Sequence, residues 1–272
     1  MSELHLILGP AGTGQALQTG QARLQPLPVA PATEPSSPSL AVQALRALGA
    51  DDDDIARILA HRTHQPPAAG IQLHGWQAIP VTDSPFTDGN TPGGKPAGKA
   101  VILCFSQHGN TEAAAYLIQK LTNLDVVPLK PVQLYPRDHK AASEQVRIEN
   151  ELGYLPKLNS LPITLADIDQ IFLGFPTWDK QLPPPVRSWL SAQAQALAGK
   201  TILPFTTHAG TGAGESFAQI TRLCPDADVR PGLALQGATP ADNGALVIRG
   251  RQQAIAEREL AAWLAQSAFS GL

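Results

Sequence analysis

Charge is scarce in this chain. Only 16% of its 272 residues are Asp, Glu, Lys or Arg, and the formal net charge is −3. The imbalance sits in the first 98 residues, with 5 basic and 8 acidic side chains; from Lys99 onward 15 of each cancel. A chain without a basic patch has no electrostatic footprint for a phosphodiester backbone, so nucleic acid is excluded as a partner. Cysteine is nearly absent too. Cys104 and Cys224 fall in different elements and make no metal-ligand spacing, so they read as buried thiols in a reducing compartment rather than a disulfide. His5, His61, His64, His74 and His139 show no spacing with Cys or acids, and no metal site is expected. No apolar run approaches the length of a membrane span. The start, MSELHLILGPAGTG, lacks the basic n-region and long apolar stretch of a signal peptide. Together these absences give the expectation of a cytoplasmic protein with no membrane partner.

What is plentiful is apolar: 43% of the residues are hydrophobic, enough for a sizeable core in one or two domains. The apolar positions are unevenly organised. Residues 1–83 read as an N-terminal extension rich in Pro, Ala, Gln and Thr. Within it, GPAGTGQA mimics a triphosphate loop, but Gln15 and Ala16 stand where Lys and Ser/Thr would do the chemistry. Residues 37–63 predict two short helices. Ser39 is placed to cap the first, and Gly49 to end it; Asp51 to Asp54 crowd the start of the second, where negative charge is favoured. Such a pair either packs on the main domain or a partner subunit, the preferred reading, or forms a module for a protein partner or self-association. IQLHGWQAIPV, residues 71–81, alternates like a strand or hairpin, and residues 84–98 form a Pro/Gly-rich linker.

From Lys99 the pattern alternates regularly. Expected strands are 100–105, 126–130, 170–175, 201–206 and 229–235; expected helices are 111–122, 138–152, 184–196, 214–223 and 251–266. The strands are continuous apolar runs, as in a parallel sheet covered on both faces. The fold class is therefore α/β, a doubly wound five-stranded parallel sheet over residues 99–272. Ligands of such sheets bind beyond the carboxyl ends of the strands. Pro204, inside the fourth strand, calls for a local bulge.

One stretch carries chemistry. AVILCFSQHGNTEAAAYLIQKL, residues 100–121, reads as a buried strand, a short loop and an amphipathic helix. A helix N-terminus offers free backbone N–H groups and a partial positive charge, which suit a phosphate. Ser106 and Thr111 add hydroxyls, and Gly109 lets the backbone approach an anion. The loop has no Lys, which argues for a lone terminal phosphate rather than a triphosphate. FSQHGNT resembles the phosphate loop of flavodoxin-like proteins, whose usual form is close to Ser/Thr-x-Thr-Gly-Asn-Thr. GFPTWDKQLPPPVRSWL (174–190) and PFTTHAGTGAGESFAQITRLCP (204–225) resemble the second and third flavin loops of that family, in order. The resemblance covers about 100–266 and is to the short-chain members. It implies the strand order 2-1-3-4-5 and FMN as cofactor. It places Ser106, Gln107, His108, Gly109, Asn110 and Thr111 at the phosphate, with Pro176, Thr177, Trp178 and Asp179 along the ring. Thr206, Thr207, His208, Gly210, Gly212 and Gly214 fall at the pyrimidine edge.

Within that frame Trp178 is placed to lie on the flavin, whereas Trp76, Trp189 and Trp263 sit on apolar stripes and read as core. Family members often carry a second Trp where Asp179 stands. Carriers usually place a Tyr in the third loop, yet no aromatic lies between Phe205 and Phe217. One flavin face is expected to be open to a substrate. His208 is the candidate catalytic group, either protonating a quinone-like product or ordering its loop. The leading expectation is an NAD(P)H-dependent oxidoreductase acting on a small quinone-like acceptor. The alternatives are an electron carrier that docks protein partners, for which the neutral charge balance is unsuited, and a non-redox adaptor using the N-terminal module.

Overall fold

A parallel sheet runs through the C-terminal part of the chain, and the alternation seen in the sequence dictates its layers. The computed structural model describes residues 40–61, 100–242 and 245–267, all within one compact unit, Pro38–Leu272. The expected strand at 71–81, the linker at 84–98, Ser39 and the GPAGTGQA stretch lie outside the described residues. In chain order the elements are α1 (Leu40–Ala47), α2 (Asp52–His61), β1 (Ala100–Cys104), α3 (Asn110–Thr122), β2 (Val126–Pro128) and α4 (His139–Leu152). They continue with β3 (Gln170–Pro176), α5 (Pro184–Gln193), β4 (Thr201–His208), α6 (Ser216–Leu223), β5 (Asp228–Val229), β6 (Leu233–Gln236) and α7 (Gly250–Gln266). The sheet order is β2-β1-β3-β4-β5, with β6 also on β4, and every pairing is parallel. This is the flavodoxin-like order.

Because side chains alternate along a strand, β1 divides its residues between two cores. Val101 and Leu103 face one side with Ile171, Leu173, Val186 and Trp189. Ala100, Ile102 and Cys104 face the other with Ile118, Leu260 and Trp263. Trp189 and Trp263 are core residues, as their apolar stripes imply, and both cysteines are buried free thiols.

Two features differ from expectation. The last strand is split in two, and Pro204 makes no bulge: Leu173 pairs with Pro204 in an unbroken β3–β4 register. The two findings have one cause. Thr201 N and Thr207 O bond towards β3, whereas Ile202 O and His208 O bond the other way, to Arg230 N and Gly237 N. Pro204 therefore turns its donor-less nitrogen away from β3. On that side β5 pairs only with 201–202 and β6 only with 205–208, so the gap falls opposite the proline.

The helix pair packs on the main domain. Asp51 caps α2 by accepting from Asp54 N at 2.8 Å. Ala44, Leu45, Leu48, Ile55 and Ile58 bury themselves against Ile148 and Leu152 of α4 and Tyr154. Tyr154 donates its hydroxyl to Leu48 O at 3.1 Å, and Lys157 pairs with Asp51 at 2.5 Å. Among the described residues no helix is long and apolar enough to cross a membrane, and no group of His, Cys, Asp or Glu is placed to hold a metal.

Candidate functional site

The loop between β1 and α3 is tied to its neighbours by its side chains. Gln107 donates to Pro136 O at 2.7 Å, and His108 Nε2 donates to Arg137 O at 3.1 Å. Asn110 donates to Ala245 O at 2.9 Å and accepts from Val247 N at 2.8 Å. These three side chains thus tie the loop to its neighbours, a role the sequence reading did not separate from ligand contact. Gly109, at φ 87, starts α3 without any side-chain cap. That backbone conformation costs a residue with a Cβ, which explains the glycine. The first-turn amides of α3 have no helical acceptors by geometry, and Gly109 at the N-cap offers no side-chain acceptor.

Hydroxyl protons complete the receptor. Ser106 Oγ accepts from Gly109 N at 3.1 Å, so its own proton is free. Thr111 and Thr207 share one hydrogen bond at 2.7 Å. Only one of the two can donate to the other, so one of their protons is left for a ligand. Thr206, in contrast, is sealed. It donates to Phe175 O at 2.7 Å and takes the Thr177 hydroxyl at 2.9 Å. Its place is beneath the site rather than in it.

The second loop is a two-residue hairpin. Trp178 and Gln181 exchange both backbone hydrogen bonds, at 3.2 and 3.0 Å, around Asp179 and Lys180 at φ 50 and 58. Positive φ at both central positions is the turn whose twist matches its flanking strands. It holds Trp178 edge-on against Phe105 (5.2 Å, 85°) and Tyr135 (4.9 Å, 68°). The third loop locks onto this tip: Glu215 N donates to Lys180 O at 2.7 Å. Gly214 passes so close that a Cβ there would lie 2.1 Å from Lys180 O.

His208 ends β4. Its Nδ1 accepts from Gly210 N at 3.0 Å, so the ring proton sits on Nε2. Partial burial holds its pKa below the usual imidazole value, and the ring is neutral at physiological pH.

Loop residues 106–108, 110, 111, 176–179, 207 and 208 line one cavity of about 520 Å³. Gly109, Thr206, Gly210, Gly212 and Gly214, also expected at the cofactor, do not line it: Thr206 is fully buried, and the glycines lie in the loop backbone. The cavity also has a wall that the sequence reading missed, formed by His139, Ala142, Ser143, Val146 and Arg147 of α4. The signal was available: these positions follow the i, i+3, i+4, i+7, i+8 stripe of one helix face. Arg147 brings little net charge, since Glu144 and Glu151 both pair with it.

The family model for flavodoxins matches residues 99–247, more than half of the chain. The chain belongs to the flavodoxin family. Comparison with curated proteins finds no match. Among solved structures, a protein designated a flavoprotein from Bacteroides eggerthii DSM 20697 is 23% identical at TM-score 0.49, with 63% of this chain and 99% of that one covered. A flavoprotein in complex with FMN from Lactobacillus acidophilus NCFM is 21% identical at TM-score 0.45, covering 51% and 93%. A WrbA-like flavodoxin from Agrobacterium tumefaciens is 13% identical at TM-score 0.36, covering 63% and 99%.

Proposed function

We propose that this chain binds FMN and reduces a small quinone-like acceptor with electrons from NAD(P)H. One observation carries the cofactor assignment. The start of α3 is uncapped and opens into the cavity beside two free hydroxyl protons, with no Lys or Arg in the loop. That donor set fits one phosphate monoester held by neutral donors. When bound, the flavin would supply two-electron chemistry at a planar ring; Ser106, Thr111, Thr207 and the α3 amides would hold its phosphate, and Trp178 would bound the ring.

The acceptor reading rests on the open side of the cavity. Phe217, the first aromatic beyond the third loop, packs on Phe175 at 6.2 Å and does not line the site. The lining sets Asp179 beside Lys180, and Arg147 is matched by Glu144 and Glu151, so no single sign of charge dominates, which suits a small neutral substrate better than a docking protein. His208 presents Nε2–H to the substrate, so its role is to donate a hydrogen bond to an acceptor oxygen. The test is direct. Ligand released by heat is identified by mass, and NAD(P)H oxidation is followed with and without a quinone. FMN and quinone-dependent turnover are expected. Recovery of FAD, or no flavin after reconstitution with FMN, overturns the cofactor; bound FMN without turnover leaves the carrier.

A further inference from the structure

Behind Trp178 a chain of contacts leads away from the cavity to a buried carboxyl. Tyr135 is buried, and its ring meets the indole at 4.9 Å between centroids, which is van der Waals contact. Its hydroxyl donates to Glu149 Oε2 at 2.5 Å. Glu149 has no exposure to solvent, and its other oxygen accepts from Gln145 Nε2 at 2.8 Å. Three buried polar atoms around this group have no partner among the described residues: Gln145 Oε1, Asn150 Nδ2 and Arg187 Nε. A Phe and a Leu would fill the same space without desolvating a carboxylate, and such replacements commonly stabilise. A polar network this costly, touching the wall of a redox site, points to a task other than holding the fold.

We propose that Trp178, Tyr135 and Glu149 form a proton-coupled electron relay that discharges a one-electron oxidant in the cavity. The proposal rests on the flavin reading above, and the oxidant it names is photoexcited oxidised flavin. Trp178 gives one electron to that oxidant and becomes an indole radical cation. Tyr135 then gives one electron to Trp178 and breaks its O–H bond, the proton passing to a Glu149 carboxylate oxygen. The result is restored Trp178, a neutral Tyr135 radical and a protonated Glu149. Return of the electron and proton resets the relay.

The geometry selects Tyr135 among the three tyrosines of the chain. Tyr154 bonds a backbone carbonyl, which is no proton acceptor at any accessible pH, and Tyr116 lies on the exposed side of α3. Phe105 also touches Trp178 but has no acidic proton. The charged and titratable groups facing Glu149 are Tyr135, Tyr154 and the Arg187 guanidinium of α5. Burial outweighs Arg187 and pushes the Glu149 pKa up to about 7, so the accepting carboxylate becomes more populated as pH rises through neutrality.

Flash photolysis of the full chain loaded with FMN tests the relay by radical absorption rather than turnover. The indole signal is expected to convert to a tyrosyl signal, faster at pH 8 than at pH 6. Tyr135→Phe keeps the ring packing and should abolish the tyrosyl signal; Tyr154→Phe should not. Glu149→Gln should slow the conversion by roughly 10²-fold and remove its pH dependence. Infrared spectra of the flavin-free chain give a separate reading: a protonated-carboxyl band titrating near neutrality and missing in Glu149→Gln. Bound FMN with no tyrosyl signal, or one that survives Tyr135→Phe, overturns the relay alone. A chain that takes up no FMN overturns the cofactor reading and with it the oxidant.

Discussion

Two helices border the cavity, α3 and α4, and they begin in opposite ways. α4 is closed: Asp138 accepts from Ala141 N at 2.8 Å, which satisfies one first-turn amide. α3 is open: its N-cap is Gly109, with φ 87 and no side-chain acceptor. An orphaned helix start away from water costs stability unless something accepts from it. The helix that walls the cavity is capped by its own sequence, and the helix that points into it has no side-chain cap. The same contrast holds farther along α4, where Glu149 is sealed in the interior with all its partners supplied by the chain.

The largest effect is expected from making α3 resemble α4. Gly109→Asp would place a carboxylate where the phosphate belongs and force a side chain into left-handed backbone. Strain of about 1–3 kcal/mol joins the lost charge-assisted bonds and the repulsion, for a loss of roughly 4 kcal/mol in FMN binding. A titration of the apoprotein measures it, and unchanged affinity would remove α3 from the phosphate site. Gly214→Ala breaks the lock between the second and third loops, since its Cβ would meet Lys180 O. The expected cost is about 2–3 kcal/mol in stability by denaturant unfolding, with flavin binding weakened alongside.

Glu149 sharpens the sealed side of the comparison. Its folded pKa of about 7 lies above the ordinary 4.5. Between those values the folded chain binds more protons than the unfolded one, so this group's contribution is full below about pH 4.5 and is lost as pH rises through 7. The swing is up to about 3 kcal/mol. Unfolding midpoints across pH should show this fall in the parent and lose it in Glu149→Gln.

Thr111→Ala should weaken FMN by about 1.5–3 kcal/mol and leave riboflavin, which lacks the phosphate, unaffected. Thr111 and Thr207 share one hydrogen bond, so Thr111→Ala and Thr207→Ala should be non-additive in a double-mutant cycle. Equal losses for both flavins would place Thr111 in the scaffold.

These contrasts also explain what the sequence could reveal. The parallel sheet was legible because runs such as Val101–Leu103 and Ile171–Leu173 are apolar throughout, and parallel strands covered on both faces must be; its strand order followed only from the resemblance of the three loops to the flavodoxin-like family. The start of α3 was legible because Gly109, Ser106 and Thr111 are local to one loop. Long-range partners were not. Nothing in the sequence near Gln107, His108 or Asn110 reveals that their polar atoms are consumed by residues 135–137 and 245–248, far away in the chain. The same limit hid the α4 wall, whose stripe is plain but whose neighbour is set only by the β2-β1-β3 winding. It also hid the break in the last strand, which shows only when Pro204 is seen to face it.

The smallest effect tests whether α4's cap is as local as it looks. Asp138→Ala removes the acceptor for Ala141 N and should cost about 1 kcal/mol of stability. Its consequence for the cavity is the informative part. Asp138 adjoins Arg137, whose carbonyl takes the His108 ring proton, and it precedes His139 on the cavity wall. If the first turn of α4 frays, the tie that steadies the phosphate loop loosens with it, and FMN affinity should fall by a few tenths of a kcal/mol. If α4 holds by packing alone, through Val146 on one face and Ile148 and Leu152 on the other, the stability loss appears without any change in affinity. Paired unfolding and FMN titrations separate the two outcomes, and with them decide whether the closed helix merely walls the cavity or also steadies the open one.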